Sequence, residues 1–142
     1  MYNPSRNRGV TLIELMIVIV IVAILGSIGV SSYRNYLLRT NRTEAKMALL
    51  RVQAAQEKFF LQQRRYANNA ELGTDPPLGL GVQPATPSGY YAIALDVIAD
   101  GNRYTARATA AGGQTQDIAA CQTFTINERG QRSPDDASGC WR

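Results

Sequence analysis

The sequence predicts an α+β fold in which one long N-terminal helix, apolar enough in its first half to span a membrane, packs on a small antiparallel sheet. Three observations carry that expectation. Val10 to Val30 reads VTLIELMIVIVIVAILGSIGV with a single charge, a three- and four-residue apolar spacing continues toward residue 65, and two runs after residue 90 alternate apolar with polar residues.

The apolar run comes first. Residues 10–31, at about 1.5 Å of helical rise each, are long enough to cross a hydrocarbon core of about 30 Å. The leader, residues 1–9, carries Arg6 and Arg8 and no acid. The positive-inside rule therefore keeps the N-terminus cytoplasmic and sends the rest of the chain outward. A secretory signal peptide is the alternative, because Gly26, Ser27 and Gly29 offer a small-residue cleavage site after an apolar stretch. Glu14 is the anomaly, since an acid near the bilayer centre costs about 2.5–3.5 kcal/mol and marks a candidate functional residue. The plainer reading is that it reaches the headgroups from the segment's start.

Beyond the span, Ala45, Ala48, Leu49, Val52, Ala55 and Phe59 recur at helical spacing, with Arg42, Lys46, Arg51 and Lys58 expected outside that stripe. No proline interrupts Val10 to Arg65, so residues 32–65 are expected to continue one helix of about 80 Å. Residues 66–142 form the head. Asn68, Asn69, Gly73, Pro76, Pro77, Gly79, Gly81, Pro84 and Pro87 make residues 66–89 an irregular connection, serving either as an exposed contact loop or as a passive linker. Tyr91, Ile93, Leu95 and Val97 share one face of a strand over 90–98, and Asp100-Gly101 supplies a tight turn into a second strand, Arg103 to Ala110. A third strand from Cys121 to Asn127 turns Phe124 and Ile126 inward, and Gly130 turns the chain afterwards, giving a sheet of three or four strands over 90–132.

Composition excludes much. The 142 residues hold 15 Lys and Arg against 11 Asp and Glu, a net charge of +4, and no histidine. Without the leader's two arginines the balance falls to 13 against 11, a mild excess. The absence of histidine removes Ser-His-Asp and Cys-His catalysis and His-ligated metals. The head has no nucleophile motif and no Gly-rich phosphate loop, so neither enzymatic activity nor a cofactor is expected. Cys121 and Cys140 are too few for structural zinc and too far apart for a redox pair. Outside the cytoplasm they would form one disulfide, closing a loop of about twenty residues and contributing about 3 kcal/mol. Asp135 and Asp136 offer either a calcium site or a solvated loop. Arg103, Arg107, Arg129, Arg132 and Arg142 offer either phosphate contacts to DNA or a soluble surface.

The junction Arg8-Gly9-Val10-Thr11-Leu12-Ile13-Glu14-Leu15 resembles the class III leader of type IV prepilins. That resemblance implies cleavage between Gly9 and Val10 by a prepilin peptidase/methyltransferase, with N-methylation at Val10 and retention of the apolar helix. Glu14 then becomes the fifth mature residue, about 6 Å along the helix from the new amine. The family implies that it attracts the amine of an adjacent subunit and sets register in a helical filament, where an unpaired charge would penalise wrong registers by several kcal/mol. It also implies a type IV pilin fold, with 66–89 as the αβ-loop and 121–140 as the disulfide-bounded region, and the Cys140-Trp141 ending is similar to minor pilins of the PilE and ComP type. The implied partners are other pilin subunits, the processing enzyme and the inner membrane, followed by a surface pilus after assembly. Two positions depart from the pattern: Val10 stands where phenylalanine is usual, and Ser31 stands where many pilins carry proline. A type II secretion pseudopilin, disfavoured by the two cysteines, and a DNA receptor for natural transformation are the alternative functions.

Overall fold

The computed structural model describes residues 9–98, 101–135 and 138–141; Arg6, Arg8, Asp100, Asp136 and Arg142 lie outside them. The chain divides into two compact units, residues 1–37 and 38–142, and a helix α1, Leu12–Gln63, contributes to both.

Helix α1 is shorter at each end than the expected Val10 to Arg65, for local reasons. At its start the Thr11 hydroxyl accepts the Glu14 N–H at 3.3 Å, an N-cap that satisfies one of the orphan donors of the first turn. At its end Arg64 takes a left-handed φ of 57°, with its N–H still bonded to the Phe60 carbonyl at 2.9 Å. A left-handed residue in that position stops a helix.

In the first unit every residue from Gly9 to Val30 is exposed. By length and composition α1 is able to cross a membrane.

The second unit holds a sheet of β1 (Tyr91–Ile98), β2 (Arg103–Ala110), β3 (Thr123–Asn127) and β4 (Arg132–Ser133), antiparallel throughout and in chain order. Alternation explains its two faces, because successive side chains on a strand point to opposite sides. Tyr91, Ile93 and Leu95 are buried, as are Tyr104, Ala106 and Ala108 beside them and Phe124 and Ile126 on β3. They share one core with Ala45, Leu49, Val52 and Phe59 of α1. Each large aliphatic or aromatic side chain so covered is worth about 1.5–3 kcal/mol.

Three further expectations need correction. The third strand begins at Thr123 rather than Cys121, because Ala119–Cys121 closes a short 3-10 turn in which the Cys121 N–H reaches the Ile118 carbonyl at 2.8 Å. Residues 66–89 are more ordered than a bare connection. Asn68 and Glu71 cap a 3-10 turn reciprocally, Leu72 and Leu80 enter the core, and Ala85 bridges to Ala92 at the edge of β1. Arg42, expected outside the buried stripe, lies on it, three residues before Ala45, with its side chain only 14% exposed. Cys121 and Cys140 form a disulfide with their Cα atoms 5.5 Å apart.

Candidate functional site

Gly9 and Val10 are exposed ahead of α1, and Glu14 occupies its first turn. A carboxylate there faces the positive end of the helix dipole, a favourable position worth about 0.3–1 kcal/mol. Around it Leu12, Ile13, Leu15, Met16 and Ile17 are all exposed. Farther along, Ser27 returns its hydroxyl to the Ile24 carbonyl at 2.8 Å, so its polar group is satisfied within the helix.

On the head the candidate arginines separate onto different surfaces. Arg103 and Arg107 stand on the outer face of β2, in register with Ile98 and Ala94 of β1. Arg103 donates to Glu128 at 3.3 Å, and Arg129 lies 3.7 Å from the same carboxylate. Arg107 pairs with Asp96 at 3.3 Å, both about half exposed. Arg132 opposes Ile126 across the β3–β4 pair, which puts it on the core-facing side at the sheet's edge, and its guanidinium stacks on the Trp141 ring at 5.0 Å. Trp141 in turn meets Phe124 edge-on at 5.6 Å. Arg103 and Arg107 thus share the outer face of β2, Arg129 joins Arg103 at Glu128, and each of the three already has a carboxylate neighbour. Burial works to raise the Glu128 pKa, but its backbone hydrogen bond together with Arg103 and Arg129 holds it below the usual range. Among the described residues no cluster of three or more His, Cys, Asp or Glu side chains is arranged to hold a metal.

A buried polar cluster joins α1 to the loop before β3. Arg42 grips both Asp117 oxygens, Nε to Oδ2 at 2.7 Å and Nη2 to Oδ1 at 2.5 Å. Gln114 donates to Asp117 Oδ2 at 2.9 Å, to the Tyr91 hydroxyl at 3.1 Å and to the Leu38 carbonyl at 3.1 Å, and accepts from Asn41 at 3.0 Å. The hydrogen bond to Asp117 raises the Arg42 pKa, outweighing desolvation. Burial pushes the Tyr91 phenol up to about 12, and burial also raises that of Tyr104. Lower on the helix, Gln56 exchanges two bonds with Ala67, at 2.8 and 2.9 Å, pinning the chain that leaves α1 back onto it. Sequence reasoning missed Gln56, Gln114 and Asp117, and it set Arg42 outside the stripe on which it lies. The available signal was spacing, since Arg42 and Gln56 both fall on the stripe of Ala45, Leu49, Val52 and Phe59.

The chain resembles known proteins in both halves. Residues 4–30 match the family model described as "Prokaryotic N-terminal methylation motif", and residues 31–125 match "Type IV minor pilin ComP, DNA uptake sequence receptor". The type IV major pilin protein PilA of Myxococcus xanthus is 43% identical over 79 residues, 55% of this chain and 36% of that protein. The type IV major pilin protein PilE1 of Neisseria gonorrhoeae is 32% identical over 94 residues, 66% of this chain and 53% of that protein. The chain thus spans only 36% to 53% of the length of these two relatives. A type IV pilin from Shewanella oneidensis shares the fold with a TM-score of 0.54 at 22% identity, over 74% of this chain and 98% of that structure. A long helix on a four-stranded antiparallel sheet with a C-terminal disulfide, together with these matches, places the chain in the type IV pilin family.

Proposed function

We propose that this chain is a minor subunit of a type IV pilus, held first in the inner membrane with its head in the periplasm and then built into the filament through α1. One observation carries the reading: an apolar helical segment, exposed along its whole length, bears a lone acid, Glu14, in its first turn. Apolar surface on that scale requires cover from lipid or from other helices. Cleavage between Gly9 and Val10 and methylation at Val10 would leave an amine near Glu14, and the carboxylate would select the neighbour that brings a matching charge. The methylation motif over residues 4–30 supports that processing.

The test is a Glu14→Ala chain expressed beside the unaltered one. The variant is expected to mature normally yet be absent from sheared filaments; incorporation at the unaltered level removes the role. Quantitative mass spectrometry of those filaments addresses minor status, with a trace share supporting it and dominance refuting it.

A second reading, contact with DNA, is favoured by the family description and by Arg103 and Arg107 on the outer face of β2, with Arg129 beside Arg103 at Glu128. Phosphates would have to compete with Glu128 and Asp96 for those guanidinium groups. Glu128→Gln should therefore tighten binding of duplex DNA to the full chain in neutral detergent, and Arg103→Ala with Arg107→Ala should weaken it and flatten its salt dependence. Absence of binding at low salt disposes of this reading.

A further inference from the structure

The residues that follow the apolar run have a character of their own. Tyr33 and Tyr36 are 63% and 65% exposed, and Arg34 beside them is exposed as well. Positions three apart are neighbours on a helix surface, so the two phenol rings share one flank of α1, and Arg34 projects from an adjoining one. Amphipathic rings with a cation at the end of a spanning segment have a physical home, the headgroup layer. There the ring body contacts upper acyl chains, the hydroxyl meets water and the guanidinium meets phosphate.

Length supports the same placement. Between Glu14 and Arg34 the chain carries no charged residue. The roughly twenty helical steps between them cover about 30 Å, matching the hydrocarbon thickness of a typical bilayer. One charge then falls at each boundary.

We infer that Tyr33, Arg34 and Tyr36 form a girdle that binds the phospholipid headgroups of the leaflet opposite the leader and fixes the depth of α1 before assembly. This rests on the membrane-held state proposed above. Its consequence concerns Glu14: with the far end held at the headgroups, the carboxylate sits at the near boundary, where it keeps water, and loses that hydration only when the subunit leaves the bilayer. Snorkelling and assembly become successive states of one residue.

Depth-dependent quenching tests this on the full chain in vesicles of phosphatidylethanolamine and phosphatidylglycerol. The vesicles carry nitroxide lipids labelled either near the headgroup or deep in the acyl chain. Probes are placed by Tyr33→Trp and, separately, Ile21→Trp, with the signal of Trp141, the single native tryptophan, subtracted using the unaltered chain. The probe at position 33 is expected to be quenched severalfold more by the shallow label, and the probe at 21 by the deep one. Equal or deeper quenching at 33, or none, alongside deep quenching at 21, overturns the girdle while leaving membrane anchoring intact. Absence of quenching at 21 overturns the anchoring reading and the girdle together. Adding Tyr36→Ala and Arg34→Gln to the Ile21→Trp chain should shift the depth of that probe, and an unchanged depth overturns the positioning role.

Discussion

Arg42 and Asp117, 75 residues apart, meet in a two-bond ion pair at 2.5 and 2.7 Å with side-chain exposures of 14% and 2%. Removing one member of a buried pair leaves the other charge uncompensated, at about 3–5 kcal/mol. Asp117→Ala should therefore lower the unfolding free energy of the head by that order, as should Arg42→Ala. The double variant should cost much less than their sum in denaturant titrations. Additive losses would mean that the two side chains are not coupled.

Gln56 presents a similar case with neutral groups. Gln56→Leu keeps the volume but orphans the N–H and C=O of Ala67 in a buried setting, for about 1–3 kcal/mol per unsatisfied group. Amide exchange at Ala67 should quicken more than at Leu49. Unchanged protection there would contradict the pinning role.

Acid should act partly through Glu71. Its hydrogen bond to Arg65 holds its pKa below the ordinary value despite some desolvation, and the Asn68 N–H adds to the effect. A depressed folded pKa means that the contribution is complete above the unfolded pKa, about 4.3, and is lost as pH falls through the lower folded value. Glu71→Gln should flatten the acid limb of the stability profile below about pH 4 while leaving its shape near neutrality unchanged. An identical acid limb would remove Glu71 from the account.

The disulfide ties the segment carrying Trp141 to the 3-10 turn just before β3, and that ring meets Phe124 of β3 and Arg132 of β4. Cys121→Ser with Cys140→Ser should lower stability by about 3 kcal/mol. Trp141 emission should shift red as the ring gains water, and a native spectrum in that variant would show the segment held without the cross-link.

The sheet was legible because half-buried strands advertise their period. Tyr91, Ile93 and Leu95 alternate with Ala92, Ala94 and Asp96, and burial follows that alternation. Glu14 stood out through its apolar surroundings, and two cysteines allow only one intrachain pairing. The Arg42–Asp117 contact was not legible, since a polar residue on a core stripe declares a need for a partner without naming it. The arginines of the head were readable as charges but not as a surface. Arg132 departs from Arg103 and Arg107 only once β4 is registered against β3, opposite Ile126. A strand of two residues carries no period to read.

The claim on which the functional account depends is that maturation exposes Val10 as the first residue and keeps Glu14 in the helix behind it. Mass spectrometry of the N-terminal peptide of this subunit, taken from sheared filaments, tests that most directly. The expected peptide opens on an N-methylated Val10 followed by the intact run through Glu14. A peptide that begins beyond Glu14, or one that still carries Gly9 and the residues before it, would contradict the claim.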